Sequence, residues 1–153
     1  MTKSEQAVEL FKNGYSCSQA VLLAFAAELN LDKETAAKMA SSFGGGMGRL
    51  REVCGAFSGL LMAAGLKFGP SNPKDIAAKT AHYALVQKLA AEFKKKNGSI
   101  ICRELLGLTG PQPPTPEPRT AQYYKKRPCS EMIACAAELM EQLLRAQMRD
   151  KSV

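Results

Sequence analysis

Apolar residues recur along the chain at helical spacing, in runs divided by short polar or glycine-containing breaks. Ala7, Val8, Leu10 and Phe11 form a first apolar stripe that ends at Asn13-Gly14. A second run, from Cys17 to about Leu29, is preceded by Ser16 with Gln19 three residues later. That spacing is a capping box, in which the serine hydroxyl and the glutamine side chain satisfy the free N–H groups of a helix start. Asp32 is placed to cap a third helix carrying Ala36, Ala37, Met39, Ala40 and Phe43. Gly44-Gly45-Gly46-Met47-Gly48 then interrupts the pattern.

A fourth helix is expected to start near Arg51 or Glu52 and to end by Phe68-Gly69-Pro70. Asn72-Pro73 opens a fifth, since a proline in the first turn gives up an N–H that has no helical partner. It runs to Lys96 and stops at Asn97-Gly98, and Ser99 can cap a short sixth helix through Leu106. Between Thr109 and Thr120, Pro111, Pro113, Pro114, Pro116 and Pro118 fix φ and remove donors, which predicts an extended linker across the surface. The last helix begins around Pro128 and reaches about Arg149. No run alternates apolar and polar positions with β-branched residues, so no sheet is expected. The pattern predicts an all-α protein: a single compact bundle of about six to seven helices, with one domain spanning 1–153.

With 153 residues the chain is long enough to bury a core without disulfides or metal. Met1 to Gln6 lacks the apolar core of a signal peptide. The longest apolar stretch, near Cys54 to Leu66, is too short to span a bilayer. The expected location is the cytoplasm, with no membrane partner. Cysteines there are mostly reduced, so the five of this chain are expected to be reactive, metal-binding or buried rather than bridged. The net charge of +7 admits an acidic partner. Its basic residues are scattered, apart from Lys94-Lys95-Lys96 at a helix end and Lys125-Lys126-Arg127, and no nucleic-acid motif accompanies them.

The cysteines change the picture most. Cys17 follows the Ser16 cap, Cys54 falls in the first turn of the fourth helix, Cys102 lies three residues after Ser99, and Cys129 follows Pro128. First-turn N–H groups lack helical partners and carry partial positive charge, which favours thiolate over thiol. A thiolate attacks disulfides and ligates soft metals. Were the four helix starts to converge, they would line one electropositive pocket with sulfur. Cys135, six residues beyond Cys129 in the last helix, points to another face and reads as a core residue. Cys-x-x-Cys is absent, as is any zinc-ribbon or ferredoxin spacing. His82, the sole histidine, sits in the fifth helix without a motif and reads as structural rather than as a ligand or base.

The glycines around Cys54 allow either close approach of backbone to a ligand or tight helix connections. Gly45 and Gly46 sit in a loop without the Gly-Lys-Ser/Thr ending of a phosphate loop. Gly55 and Gly59, four apart, make a small-residue face suited to a crowded site or a close helix contact, including one across a homodimer. These four glycines are the candidate cofactor-binding positions.

Cys54-Gly55-Ala56-Phe57-Ser58-Gly59 resembles the Cys-Gly-Ala-x-x-Gly hallmark of the group named C_GCAxxG_C_C after its cysteine pattern. The likeness extends to Asn13-Gly14-Tyr15-Ser16-Cys17, to the Phe43–Arg49 glycine loop, to Cys102-Arg103-Glu104-Leu105-Leu106-Gly107, and to Cys129. The resemblance implies that Cys17, Cys54, Cys102 and Cys129 are the characteristic cysteines of a redox-active protein with no established reaction. A similar region in split-Soret cytochromes accompanies haem and an iron–sulfur centre; this chain has no haem attachment motif, so only the cluster carries over.

Three readings follow. The first is a thiol redox protein, an oxidoreductase or electron-transfer accessory, in which Cys54 and one first-turn partner cycle between dithiol and disulfide. It needs a redox partner protein or a small-molecule electron donor. The second is an iron–sulfur or zinc protein holding its metal with Cys17, Cys54, Cys102 and Cys129. The third is a basic, non-enzymatic interaction module; its diffuse charge makes nucleic acid the least expected partner.

Overall fold

The structure, a computed structural model, describes residues 1–151. Its helices are α1 (Lys3–Lys12), α2 (Cys17–Ala24), α3 (Lys33–Ala40), α4 (Gly55–Phe68), α5 (Ile76–Asn97), α6 (Cys102–Leu106), α7 (Ala121–Lys126) and α8 (Cys129–Lys151). No strand occurs among the described residues; an isolated antiparallel bridge joins Val53 to Ile101. The fold is all-α, and no described helix is long and apolar enough to cross a membrane.

The helix starts follow their caps. Thr2 and Glu5 form a capping box at α1, and Ser16 and Gln19 form the expected one at α2. Asp32 accepts from the Thr35 N–H at 2.9 Å and Asp75 from that of Ala78 at 2.9 Å. Each such cap contributes about 1 kcal/mol.

The boundaries differ from expectation in five places. α2 stops at Ala24, and the chain turns through Asn30, whose φ is +51°. Pro73 lies in a turn ahead of α5, which Asp75 caps instead. Ser99 acts from outside α6: its hydroxyl accepts from the Ile101 N–H and donates to Glu104, while Ile101 occupies the cap position. The helix count passes the expected range because Ala121–Lys126 forms its own short helix, started by Thr120, which accepts from the Tyr123 N–H. Finally, α4 begins at Gly55, not at Arg51 or Glu52. Residues 51–54 are pulled out of the helix by pairing with 100–103. Cys54 N–H donates to the Ile100 carbonyl at 2.7 Å, and Arg103 N–H to that of Arg51 at 3.1 Å.

α1, α2, α4 and α8 pack on one another, and the core between them is built largely of small residues. Ala7, Ala20, Ala56, Ala63, Ala136 and Ala137 are fully buried beside Phe11, Phe25, Leu60, Ile133 and Met140. Small side chains let helix axes approach closely; each buried phenylalanine adds about 1.5–3 kcal/mol. α5 joins the core through Leu89 and Phe93, the latter 5.4 Å from the Phe57 ring, while Ile76 and Tyr83 on its first turns stay exposed.

The proline-rich segment is extended, as expected, and it is fastened down. Gln112 N–H donates to the Arg49 carbonyl at 3.0 Å, and Arg49 Nε donates to the Pro113 carbonyl at 2.7 Å. Farther along, Arg119 lies over Phe11 and Tyr123, 4.6 and 5.0 Å from the ring centroids.

Candidate functional site

The backbone pairing of 51–54 with 100–103 sets Cys54 and Cys102 side by side, and packing of α2 and α8 on α4 brings up Cys17 and Cys129. All four line one cavity of about 70 Å³, together with Gly45, Arg51, Gly55, Arg119, Tyr123 and apolar residues. Cys17, Cys102 and Cys129 are the first residues of their helices; Cys54 caps α4. All five cysteines are free thiols, and Cys135 lies outside the cavity.

The segment before Cys54 takes an unusual path. Gly45, Gly46, Met47, Gly48 and Arg49 have φ of +68°, +66°, +70°, +60° and +68°, a left-handed turn closed by Gly48 N–H on the Gly44 carbonyl at 2.9 Å. Arg51 follows at φ +60°. For Met47, Arg49 and Arg51 this conformation costs about 1–2 kcal/mol each. The turn presses the backbone onto the cysteines: Gly45 N–H bonds the Cys17 sulfur, and a Cβ at Gly46 would sit 2.7 Å from Cys102 Cβ. It also delivers the Arg51 side chain into the cavity wall.

The candidate glycines divide. Gly45 and Gly55 line the cavity. At Gly55 a Cβ would stand 2.3 Å from the Cys17 sulfur, so only glycine lets the two helix starts meet. Gly46 and Gly59 are outside the lining. Gly59 faces the Ser18 carbonyl and Val21 of α2, where a Cβ would come within 2.7 and 3.0 Å, which makes it a helix-contact position.

The electrostatics correct the expectation of uniformly acidic thiols. Helix-start N–H groups do point at sulfur: those of Ala56 and Phe57 at Cys54, and that of Ser18 at Cys17. Burial outweighs them. It pushes the Cys17 thiol up, with the charge of Cys102 adding to the effect. It also pushes up Cys54, with Cys17 adding. Cys129 is pushed up to about 12, by burial and then by Cys17 and Cys102. Loss of water disfavours the thiolate more than a few partial charges favour it.

One sulfur has a full positive charge against it. Arg51 Nη1 donates to Cys102 Sγ at 3.5 Å. Arg51 is 6% exposed, and its Nε and Nη2 both donate to Gln112 Oε1, at 3.0 and 2.7 Å. Gln112 thus holds Arg51 in place from the proline-rich segment.

The arrangement presents no ready-made metal centre among the described residues: no three of His, Cys, Asp or Glu are gathered as ligands to one ion. His82 lies on α5, away from the cavity, and its buried Nδ1 has no hydrogen-bond partner.

Arg51, Gln112 and Arg119 were not among the residues expected at the site. Arg51, close to Cys54 and just after a glycine run, was the one with a sequence signal, a charge beside an apolar stretch. Gln112 and Arg119 come from a linker, and only folding places them here.

Fold and site together define a class: an all-α protein with several free cysteines gathered around one cavity. The family comparison agrees. Residues 15–143 match the model of C_GCAxxG_C_C, described as "Putative redox-active protein", and the chain belongs to that family. Comparison with curated proteins finds no match, and comparison with solved structures finds none either.

Proposed function

We propose that the protein is a thiol–disulfide oxidoreductase in which Cys102 is the attacking group. The observation that carries this reading is the Arg51 guanidinium on Cys102 Sγ, inside a cavity that three further cysteines share. The guanidinium stabilises negative charge on that sulfur when it attacks and when it later leaves. Cys17, Cys54 and Cys129, pushed up by burial, stay protonated until a mixed disulfide forms beside them.

In the reaction, Cys102 sulfur gives up its proton to solvent and attacks a substrate disulfide. The substrate S–S bond breaks, a mixed disulfide forms, and one substrate thiolate departs and is protonated. A second cavity cysteine then attacks Cys102 sulfur, and its proton passes to the second departing thiolate. The substrate disulfide gains two electrons and becomes two thiols; two protein thiols become a disulfide. A dithiol donor, small molecule or protein, returns the protein to its starting state by the reverse exchange. This chemistry suits a reducing compartment such as the cytoplasm.

The test is reaction of the reduced protein with 2-hydroxyethyl disulfide, a neutral reagent, followed by peptide mapping. The wild type should end with an internal disulfide that includes Cys102. A variant carrying Cys17→Ser, Cys54→Ser and Cys129→Ser should stop at the mixed disulfide on Cys102. If Cys102→Ser forms a disulfide at the wild-type rate, the assignment is wrong.

A further inference from the structure

The cavity wall contains two guanidinium groups and no acid. Its polar and charged members are Ser16, Arg51, Arg119, Tyr123 and the cysteines; it includes no Asp, Glu, Lys or His. Other arginines nearby have carboxylates. Arg49 and Arg127 reach Glu117, and Arg103 reaches Glu52. Neither Arg51 nor Arg119 has a carboxylate within ion-pair distance among the described residues. Arg51 is buried and Arg119 half-buried, and a cation drawn from water without a counter-charge favours an anion beside it. Arg51 donates to the Cys102 sulfur. No carboxylate among the described residues answers Arg119, whose Nη1 and Nη2 donate to the neutral carbonyls of Phe11 and Tyr15 at 3.1 and 3.2 Å.

Arg119 is also held rigidly. It lies over Phe11 and Tyr123 and within 5.9 Å of the Tyr124 ring, and it lines the cavity. A volume of about 70 Å³ admits only a small group.

We propose that the cavity recognises small anionic, thiol-reactive ligands, with Arg119 as the residue that binds the ligand's carboxylate or equivalent anion while Cys102 faces its reactive atom. The substrate class is then a small disulfide or electrophile that carries a negative charge close to the bond that breaks. This assignment of substrate class rests on the reading of Cys102 as the attacking sulfur, but its test does not require disulfide exchange.

The test compares alkylation of Cys102 by iodoacetate, an anion, and iodoacetamide, its neutral counterpart of nearly equal size. In both, a sulfur–carbon bond forms and iodide leaves. With Arg51 against the sulfur the pair is near neutral, so without a further cation the intrinsically more reactive iodoacetamide is preferred. With Arg119 in place, iodoacetate should react faster at Cys102 by about tenfold, a modest steering effect. Arg119→Gln should bring the ratio below one, and Arg119→Lys, which keeps the charge, should hold it above one. A wild-type ratio below one overturns the proposal, as does a ratio unaffected by Arg119→Gln.

If Cys102 resists both reagents, or if Arg119→Gln does not fold, titration of the wild type with acetate decides. Saturable shifts of the Arg119 Nε–H resonance support the site, and their absence overturns it. An iodoacetate preference without exchange of 2-hydroxyethyl disulfide sinks the redox reading and leaves the anion site standing. Exchange of that disulfide without the preference does the reverse.

Discussion

The helix starts around the cavity and the helix bodies of the bundle use the same two residue types to different ends. α8 shows it for cysteine. Cys129, its first residue, borders the cavity with a sulfur that Arg127 and Arg51 influence. Cys135 is buried in the body of the same helix, where its nearest polar partner is the Asn97 side chain. Backbone N–H groups in a helix body are committed to the turn before, whereas those at a start are free to face a sulfur. α4 shows it for glycine. Gly55 and Gly59 at its cavity end have no room for a Cβ, while Gly65 near its far end has nothing within 4 Å. The contrast teaches that position on the helix, more than residue type, separates the chemistry of this protein from its packing.

Alkaline pH should break the contrast most forcibly. Folded Cys17, Cys54 and Cys129 have pKa values raised above the unfolded value of ~8.5. Their protonated state is therefore favoured by folding. That stability is fully present below pH ~8.5 and is lost as pH rises toward the folded values, about 12 for Cys129. Each such thiol should remove about 1.4 kcal/mol per pH unit in that window. Urea denaturation at pH 8, 9 and 10 measures the slope. Changing the three to serine should flatten most of it, while Cys135→Ala should leave most of it.

Next in size is the split between Cys102 and Cys135. Cys102→Ser should slow exchange with 2-hydroxyethyl disulfide by about 100-fold, equivalent to about 2.7 kcal/mol of transition-state stabilisation. Cys135→Ala should leave the exchange rate as it is. Equal losses in stopped-flow kinetics of the two variants would erase the distinction between the two cysteines.

Gly59→Ala should destabilise by about 1–3 kcal/mol, because the added methyl meets the Ser18 carbonyl carbon-to-oxygen at 2.7 Å and α2 must move away from α4. Thermal unfolding reads it as a fall of several degrees. Gly65→Ala should have the smallest effect and the opposite sign, a gain of up to about 1 kcal/mol, since alanine favours the helix and meets no neighbour. A loss at Gly65 as large as that at Gly59 would show that both ends of α4 are equally crowded.

Much of this protein was legible in its sequence because the determining interactions are local. The Ser16–Gln19 capping box, the Asp32 cap, the stop at Asn97-Gly98 and the extended proline segment all depend on residues within a few positions of one another. So does the placement of Cys17, Cys102 and Cys129 at helix starts, and of Cys135 inside one. Local spacing also marked Gly55 and Gly59 as a small-residue face suited to a crowded site or a close helix contact.

Long-range contacts decided the rest. α4 starts late because residues 51–54 pair with 100–103, a partnership no local pattern announces. Uniformly acidic thiols did not result, because burial is a property of the assembled core and here exceeds the pull of the helix starts. Arg51 reaches Cys102 only through a left-handed turn, and Gln112 reaches Arg51, and Arg119 the cavity, only because the proline-rich segment is tied back. The sequence by itself determined most helix starts, and that Cys17, Cys102 and Cys129 fall at them, since capping and helix geometry act within one turn. Only the tertiary structure decided that these three and Cys54 share a cavity, and which one of them has a cation at its sulfur, since charge and desolvation depend on neighbours far away in the chain.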